Sequence, residues 1–285
     1  MRIFLTGGTG FIGSHFIKNA LKNNFEIIGL KRSKKINTRI KLISQPFWLT
    51  QQIDYVDKKY FKGVDVLVHM AAHSANHPYD SLDECLKYNL NYPLNLLNSA
   101  LNAGIKKFVI IGSCFEYGKS CNRYEKIPAN APLEPISTYP ASKAAAAIAF
   151  LQWAIENKVS MSLLRVFQIY GEGELSSRLY PSLIKAAKAG QDFPLTEGQQ
   201  VRDFMNVDLL SKELLKEVEL IVKEKNLLIK TQNIGTESPQ KLMDFSRNIW
   251  NKYRAKGELL FGKKPYRKDE IMRIVPCLKP YYYFQ

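Results

Sequence analysis

Cysteine is scarce in this 285-residue chain, which has four, and no two of them form a Cys-x-x-Cys pair. This scarcity speaks against a disulfide framework and against cysteine-ligated metal, so we expect no metal site and a reducing compartment. Apolar runs long enough to span a bilayer are also missing. The first apolar run begins two residues into the chain and leaves no room for a signal peptide. We therefore expect a cytoplasmic protein that is not bound to a membrane.

Acidic residues are few relative to basic ones, with 26 Asp and Glu against 41 Lys and Arg and a formal net charge of +15. Nucleic-acid binding is one explanation of such a balance. The basic residues are scattered, however, and no motif that interleaves aromatic and basic residues stands out. A solvated lysine-rich surface is the simpler account, and an anionic substrate and cofactor would also suit it. We expect no nucleic-acid partner.

A glycine-rich turn near the start organises the rest of the chain. Residues 3–5 predict a buried strand, and residues 14–22 predict a helix that follows the glycines at once. The free N–H groups at the start of such a helix can hold a pyrophosphate, and the glycines let the phosphates approach the backbone. The sequence therefore predicts a dinucleotide site whose contacts include Gly7, Gly10, Phe11, Ile12 and Gly13.

The second predicted strand, residues 25–30, ends in Lys31, Arg32 and Ser33. In the NAD-binding form of this unit, an acidic residue about 20 positions beyond the glycines binds the ribose 2′-hydroxyl. Cations at that place would instead attract a 2′-phosphate. We therefore expect NADP(H) rather than NAD, with these three residues as contacts; a solvated basic loop is the alternative.

Strands and helices then alternate. Residues 63–72, 107–111 and 160–166 predict strands, and residues 81–103 and 139–157 predict helices, whereas residues 34–60 are poorly patterned. Alternation of this kind predicts right-handed crossovers and a parallel sheet covered on both faces. The expected fold class is α/β, a Rossmann-like doubly wound parallel sheet with a small C-terminal α/β substrate lobe.

Tyr139 and Lys143 are four residues apart at the start of a predicted helix and so lie on one face. A nearby ammonium favours the phenolate, which predicts a lowered pKa for Tyr139. Such a tyrosine can exchange a proton with an oxygen whose carbon undergoes hydride transfer. Ser113 follows a buried strand, where its hydroxyl can hold the same oxygen. We predict these three residues as the catalytic set.

At this point the chain resembles the extended short-chain dehydrogenase/reductase family, in its nucleotide-sugar epimerase/dehydratase group, over about residues 1–275. The resemblance is carried by several motifs in the same order. They are Thr6-Gly7-Gly8-Thr9-Gly10-Phe11-Ile12-Gly13, Asp65-Val66-Leu67-Val68-His69-Met70-Ala71-Ala72, Asn89, Ser113 through Gly118, Tyr139 with Lys143, Leu164-Arg165-Val166-Phe167-Gln168-Ile169-Tyr170-Gly171, and Gly198-Gln199-Gln200-Val201-Arg202-Asp203-Phe204.

The resemblance implies roles for these residues. Tyr139 matches the catalytic acid/base, Lys143 the residue that tunes it and binds the nicotinamide ribose, and Ser113 the hydroxyl that holds the substrate oxygen. Arg202 matches the arginine that binds the nucleotide diphosphate of the sugar. Further cofactor contacts are expected at Ala71, Ala72, Asn89 and Tyr139. Further substrate contacts are expected at Cys114, Phe115, Gln168 and Arg178.

The resemblance also implies an architecture. Residues 1–170, with a returning stretch at 201–236, would form the NADP-binding domain, and residues 171–200 and 237–285 the substrate lobe. The helices at 81–103 and 139–157 would form the interface of a homodimer. The tail after Pro276 departs from the family pattern.

Other departures narrow the expected function. The dehydratases of the family carry one or two acidic residues directly after the Ser/Thr, where this chain has Cys114 and Phe115, so dehydration is not expected. The chain looks most like the reductases that finish deoxyhexoses on nucleotide carriers for surface polysaccharide. We expect NADPH-dependent reduction of a nucleotide-linked 4-keto-6-deoxyhexose. An NAD-dependent nucleotide-sugar 4-epimerase and a non-catalytic NADP-binding protein are the alternatives.

Overall fold

A computed structural model describes residues 1–283, and strands and helices alternate through its first half. In chain order the strands are β1 (Arg2–Thr6), β2 (Glu26–Lys31), β3 (Phe47–Thr50), β4 (Val66–His69), β5 (Lys107–Ser113), β6 (Ser160–Val166), β7 (Gln168–Tyr170), β8 (Phe193–Pro194), β9 (Val201–Arg202), β10 (Phe204–Asn206), β11 (Ile229–Ile234), β12 (Gln240–Lys241), β13 (Leu259–Leu260), β14 (Arg273–Ile274) and β15 (Tyr281–Tyr282). The α-helices are α1 (Phe11–Lys22), α2 (Leu82–Leu86), α3 (Tyr92–Asn102), α4 (Thr138–Glu156), α5 (Leu179–Ala189), α6 (Val207–Lys223) and α7 (Leu242–Lys252).

Within residues 1–283, the central sheet contains eight strands in the order β15-β11-β6-β5-β4-β1-β2-β3. All neighbouring pairs from β11 to β3 are parallel, and only β15 runs antiparallel to its neighbour β11. The chain order reverses direction across this sheet, as a doubly wound fold requires. The predicted α/β fold class is confirmed.

The sheet is covered by helices on both faces because its central strands are apolar on both. Phe4 of β1 packs in one core cluster with Phe150 of α4. Its neighbour Leu5 packs in another cluster with Phe16 of α1 and Val218 of α6. Successive side chains of a strand point to opposite faces, so these two clusters are the two sides of a three-layer domain.

Two elements differ from the sequence prediction. Residues 34–60, which are poorly patterned in the sequence, contain β3. It is an edge strand in which only Leu49 is buried, so it has no clear hydrophobic pattern. The predicted helix over residues 81–103 consists of α2, a π-helical stretch at Lys87–Asn91, and α3. Pro93 lies at the start of α3, directly after the π-helical stretch. Helix α6 begins at Val207 because the Asn206 side chain caps it, accepting a 2.9 Å hydrogen bond from the Asp208 N–H.

The later part of the chain forms small sheets around α5 and α7. The sequence predicts that residues 201–236 return to the nucleotide-binding sheet. Strands β9 and β10 lie in small sheets instead, since β9 pairs with β12 and β14 and β10 pairs with β7. Helix α6 and strand β11 do return to the central sheet. Strand β15 also joins it, although the sequence predicts residues 237–285 in the substrate lobe. The remaining domain boundaries stay predictions, and residues 284–285 lie outside the described residues.

No helix within residues 1–283 combines the length and the apolar character needed to cross a membrane.

Candidate active site

The glycine turn brings the start of α1 against the carboxyl end of β1. Gly7 has a left-handed φ of 75°, and a Cβ atom there would lie 2.5 Å from the Ala71 nitrogen. Gly13 sits directly on the Gly7 carbonyl, with no room for a side chain. The Gly10 N–H donates to the same carbonyl at 2.9 Å. Only glycine fits at positions 7 and 13, and the backbone N–H groups of the first turn of α1 are free for a phosphate.

A cleft of about 930 Å³ runs from this turn across the carboxyl ends of the central strands. Most of the predicted site residues line it. They are Gly7, Gly10, Phe11, Ile12, Gly13, Lys31, Arg32, Ala71, Ala72, Ser113, Cys114, Phe115, Tyr139, Lys143, Gln168 and Arg178. The predicted contacts Ser33, Asn89 and Arg202 are not among the lining residues.

Asn89 is buried behind the cleft wall. Its amide oxygen accepts the His73 N–H at 2.7 Å, and its amide nitrogen donates to the Ser142 hydroxyl at 2.9 Å. It therefore ties the loop after β4 to helix α4. Ser33 lies outside the cleft and accepts a hydrogen bond from the Lys35 N–H at 3.2 Å.

Arg202 of β9 is buried and is not among the residues that line the cleft. Its guanidinium donates to the Glu270 carboxylate at 2.7 Å and to the Ile271 carbonyl at 2.6 Å. A sequence motif could not reveal this, because Glu270 lies 68 residues further along the chain. The diphosphate role of Arg202 stays a prediction, and Arg178 lines the cleft.

Three cations surround one end of the cleft, at the end of β2. Lys31 and Arg32 line it as predicted, and Arg39 joins them from the following loop. Lys31 Nζ lies 5.3 Å from the centre of the Trp48 ring, which holds the side chain in place. Within residues 1–283, none of these three cations forms an ion pair with a carboxylate. Their charge is therefore available to an anionic ligand.

The predicted catalytic residues meet in the middle of the cleft. Ser113 ends β5, and its Oγ caps the following 3₁₀ turn by accepting the Phe115 N–H at 3.3 Å. Tyr139 and Lys143 lie on the first turns of α4, which packs beside β5. Lys143 Nζ donates to the Ile111 carbonyl at 2.8 Å, which fixes the ammonium below the cleft floor.

Burial dominates the electrostatics of this set. It raises the pKa of the Tyr139 hydroxyl, and the Ser113 side chain opposes the rise. The pKa of Tyr139 is therefore raised overall by burial, and the predicted net lowering is wrong for this structure. Burial also lowers the pKa of Lys143, and the negative charge of Glu116 opposes that change. Tyr139 is thus a protonated phenol that can donate to an oxygen placed beside it.

Two residues at the cleft have no counterpart in the sequence predictions. The Tyr79 ring lies 5.6 Å from the Tyr139 ring, centre to centre. Glu174 lines the cleft, and desolvation raises its pKa to about 7 although Arg178 opposes the rise. Its Oε1 lies 3.5 Å from Arg178 Nε, whereas its buried Oε2 has no hydrogen-bond partner. The four-residue spacing of Glu174 and Arg178 is the sequence feature that could have indicated this pair.

Known proteins resemble the chain over almost its whole length. A putative UDP-glucose 4-epimerase of Methanocaldococcus jannaschii is 27% identical and aligns with 97% of this chain and 90% of its own length. The CDP-abequose synthase of Salmonella muenchen is also 27% identical, over 95% of this chain and 87% of its own length.

A solved structure of the UDP-glucose 4-epimerase of Thermotoga maritima with UDP-glucose superposes with a TM-score of 0.83. It has 21% identity and covers 98% of this chain and 90% of that chain. The model of the NAD dependent epimerase/dehydratase family matches residues 3–213. This span contains the glycine turn, Ser113, Tyr139 and Lys143. The chain belongs to the NAD dependent epimerase/dehydratase family of enzymes.

Proposed function

We propose that this enzyme reduces the C4 keto group of a nucleotide-linked 4-keto-6-deoxyhexose with NADPH, as a step in deoxysugar synthesis for surface polysaccharide. The observation that carries the proposal is the meeting of Ser113, Tyr139 and Lys143 in one cleft with a glycine turn and unpaired cations. The residues present fit a dinucleotide, because Gly10, Phe11 and Ile12 at the start of α1 line the cleft, where free backbone N–H groups can bind phosphates.

In the proposed mechanism the substrate oxygen lies between Ser113 and Tyr139. NADPH, when bound, supplies the hydride. The Ser113 hydroxyl holds the oxygen, and Tyr139 donates the proton that makes it a hydroxyl. The buried ammonium of Lys143 stabilises the negative charge left on the Tyr139 oxygen.

The preference for NADPH rests on Lys31, Arg32 and Arg39. A 2′-phosphate would bring two negative charges to cations that lack carboxylate partners within residues 1–283. NAD offers only a neutral hydroxyl at the same place, and the end of β2 carries no acidic residue to accept it.

Dehydration is disfavoured by the residues after Ser113. A dehydratase needs a carboxylate that can take a proton from carbon, whereas this chain has Cys114 and Phe115 there. Burial raises the pKa of the Cys114 thiol, which keeps it neutral. The next residue, Glu116, is acidic, but its carboxylate is held by Ser113 and Arg165.

The remaining parts of the proposal concern partners and location. Arg178 and Gln168 line the cleft on the side of the lobe and would face the nucleotide sugar. We also propose a homodimer through α2, α3 and α4, where Leu82 and Ile148 are exposed apolar side chains. A cytoplasmic location completes the proposal, because nucleotide sugars of this kind would be its substrates.

A nucleotide-sugar 4-epimerase with tightly held NAD is the second candidate. The Methanocaldococcus jannaschii and Thermotoga maritima relatives carry that name, and the same Ser113–Tyr139 pair could serve oxidation and return of the hydride. A non-catalytic NADP-binding protein is a third reading, which the retained Tyr139 and Lys143 argue against.

The test is NADPH consumption with a panel of dTDP-, CDP- and GDP-linked 4-keto-6-deoxyhexoses, with NADH alongside. Stoichiometric loss of NADPH with one substrate supports the reductase and identifies the carrier. Interconversion of UDP-sugars by enzyme that retains NAD, without loss of NADPH, would make it an epimerase. Binding of NADP with no turnover of any sugar would leave the non-catalytic reading.

A further inference from the structure

Glu116 is a fully buried carboxylate directly behind the catalytic serine. One oxygen, Oε1, accepts the Ser113 N–H at 2.7 Å, and the other, Oε2, accepts Arg165 Nε at 2.6 Å. The Ser113 hydroxyl in turn accepts the Phe115 N–H, so the turn is capped from both directions. The backbone of Ser113 is therefore fixed by a charged hydrogen bond.

The neighbouring strand completes this arrangement. Arg165 of β6 pairs in register with Gly112 of β5, and its guanidinium also donates to the Tyr117 hydroxyl at 3.2 Å and to the Ala129 carbonyl at 2.9 Å. A Cβ atom at Gly112 would lie 2.7 Å from Glu116 Oε1. Glycine is needed at this position because the carboxylate occupies the space of a side chain.

The charge of Glu116 also reaches the other two catalytic residues. It raises the pKa of Lys143, against the effect of burial, and it raises the pKa of Tyr139. Among residues 1–283, Lys143 forms no ion pair and has the Ile111 carbonyl as its polar contact. Glu116 is thus the carboxylate that favours the charged form of Lys143.

We propose that Glu116 is a positioning residue, whose buried carboxylate fixes Ser113 against the substrate oxygen and supplies negative charge to the Tyr139–Lys143 pair. The proposal rests on the proposed role of Ser113, Tyr139 and Lys143 in carbonyl chemistry. It applies equally to reduction and to epimerisation, since both pass through the same oxygen.

The test replaces Glu116 with glutamine. We expect kcat to fall about tenfold to a hundredfold with little change in KM, because a displaced Ser113 no longer holds the reacting oxygen. We also expect the alkaline limb of the kcat–pH profile to move to lower pH, because loss of the carboxylate lowers the pKa of both Tyr139 and Lys143. The matched control is Glu217→Gln, which removes another largely buried carboxylate, paired with Lys230 on the opposite face of the sheet.

Two results would overturn the proposal. One is a folded Glu116→Gln enzyme whose kcat is within twofold of the wild-type value and whose kcat–pH profile keeps its alkaline limb at the wild-type pH. The other is a loss no larger than that of Glu217→Gln. Should Glu116→Gln fail to fold, the double variant Glu116→Gln/Arg165→Met removes both charges of the pair. Wild-type kcat in that protein would equally refute the role of Glu116.

A second readout does not depend on turnover, which separates this proposal from the proposed function. The phenolate absorbance of Tyr139 is obtained by subtracting the titration of Tyr139→Phe protein, with NADP⁺ present throughout. Tyr139 should ionise at lower pH in the Glu116→Gln background than in the wild type. An unchanged titration would count against the electrostatic role even if no sugar were turned over, whereas inactivity of the wild type would count only against the proposed function.

Discussion

Two buried ion pairs lie on opposite faces of β6 and have nearly the same chemistry. Glu116 pairs with Arg165 at 2.6 Å and accepts a hydrogen bond from Ser113; Glu217 pairs with Lys230 at 2.8 Å and accepts one from Ser162. The first pair touches the turn that carries Ser113, the proposed catalytic serine, and the second joins α6 to the sheet. Burial and charge alone therefore do not mark a functional group, and what a buried carboxylate touches next decides its role.

The largest effect on activity should come from Tyr139, whose pKa is raised by Glu116 of the first pair. We expect Tyr139→Phe to lower kcat about 10²- to 10⁴-fold, because the oxygen formed at C4 loses its proton donor. NADPH affinity should stay close to that of the wild type. Steady-state kinetics and a cofactor titration measure both, with Tyr60→Phe, which does not line the cleft, as the control. Turnover near the wild-type rate in Tyr139→Phe would contradict the proposed acid.

The second pair should show its importance in stability instead. Glu217→Gln leaves Lys230 buried without its carboxylate, so we expect the free energy of unfolding to fall by about 3 kcal/mol. Activity per folded molecule should remain unchanged. Urea unfolding and kcat on the same preparations test this expectation. A selective loss of kcat at full stability would break the comparison.

Lys31 and Arg32 extend the comparison to cations that form no ion pair with a carboxylate within residues 1–283. Because their charge is unpaired within residues 1–283, we expect Lys31→Ala or Arg32→Ala to weaken NADPH binding about tenfold by removing a contact to the 2′-phosphate. NADH binding should not change. Isothermal titration with both cofactors measures the difference, and Lys35→Ala is the control because Lys35 does not line the cleft. Equal losses for NADPH and NADH would favour NAD as the natural cofactor.

The smallest effect is the pH dependence of stability caused by Glu174. One oxygen of this carboxyl lies near Arg178, and the other is buried without a hydrogen-bond partner. Its pKa is raised from 4.5 to about 7, first by desolvation. The folded protein therefore holds this proton more tightly than the unfolded chain does, and stability falls as pH rises from about 4.5 to about 7. Glu174→Gln should lose that dependence, so its Tm should exceed that of the wild type at pH 8 by more than it does at pH 4. Thermal melts across this range test the sign, and parallel curves would refute it.

Features of the fold and of the candidate site that depend on a local pattern can be predicted from the sequence. The glycine turn, the alternating strands and helices, and the spacing of Tyr139 and Lys143 each lie within one short stretch, where period and turn chemistry are readable. The pair Glu116–Arg165 was not foreseen, because the two residues are 49 apart and meet only when β5 and β6 align. The ion pair of Arg202 with Glu270 is equally hard to predict, because Glu270 reaches Arg202 from a distant loop. The direction of the Tyr139 pKa shift cannot be predicted from spacing, because spacing shows the ammonium but not the burial.

The short strand β15 has a consequence for how the protein is made. It pairs with the outer edge of β11, and the Tyr283 N–H donates to the Ile229 carbonyl at 3.0 Å. During synthesis β11 emerges from the ribosome well before residues 281–283, so its edge stays unpaired while α7 and the loops after it are still being added. An unpaired strand edge is a template for misassembly between nascent chains. Truncation just before Tyr281 would leave that edge exposed permanently, and aggregation during expression would be its first visible sign.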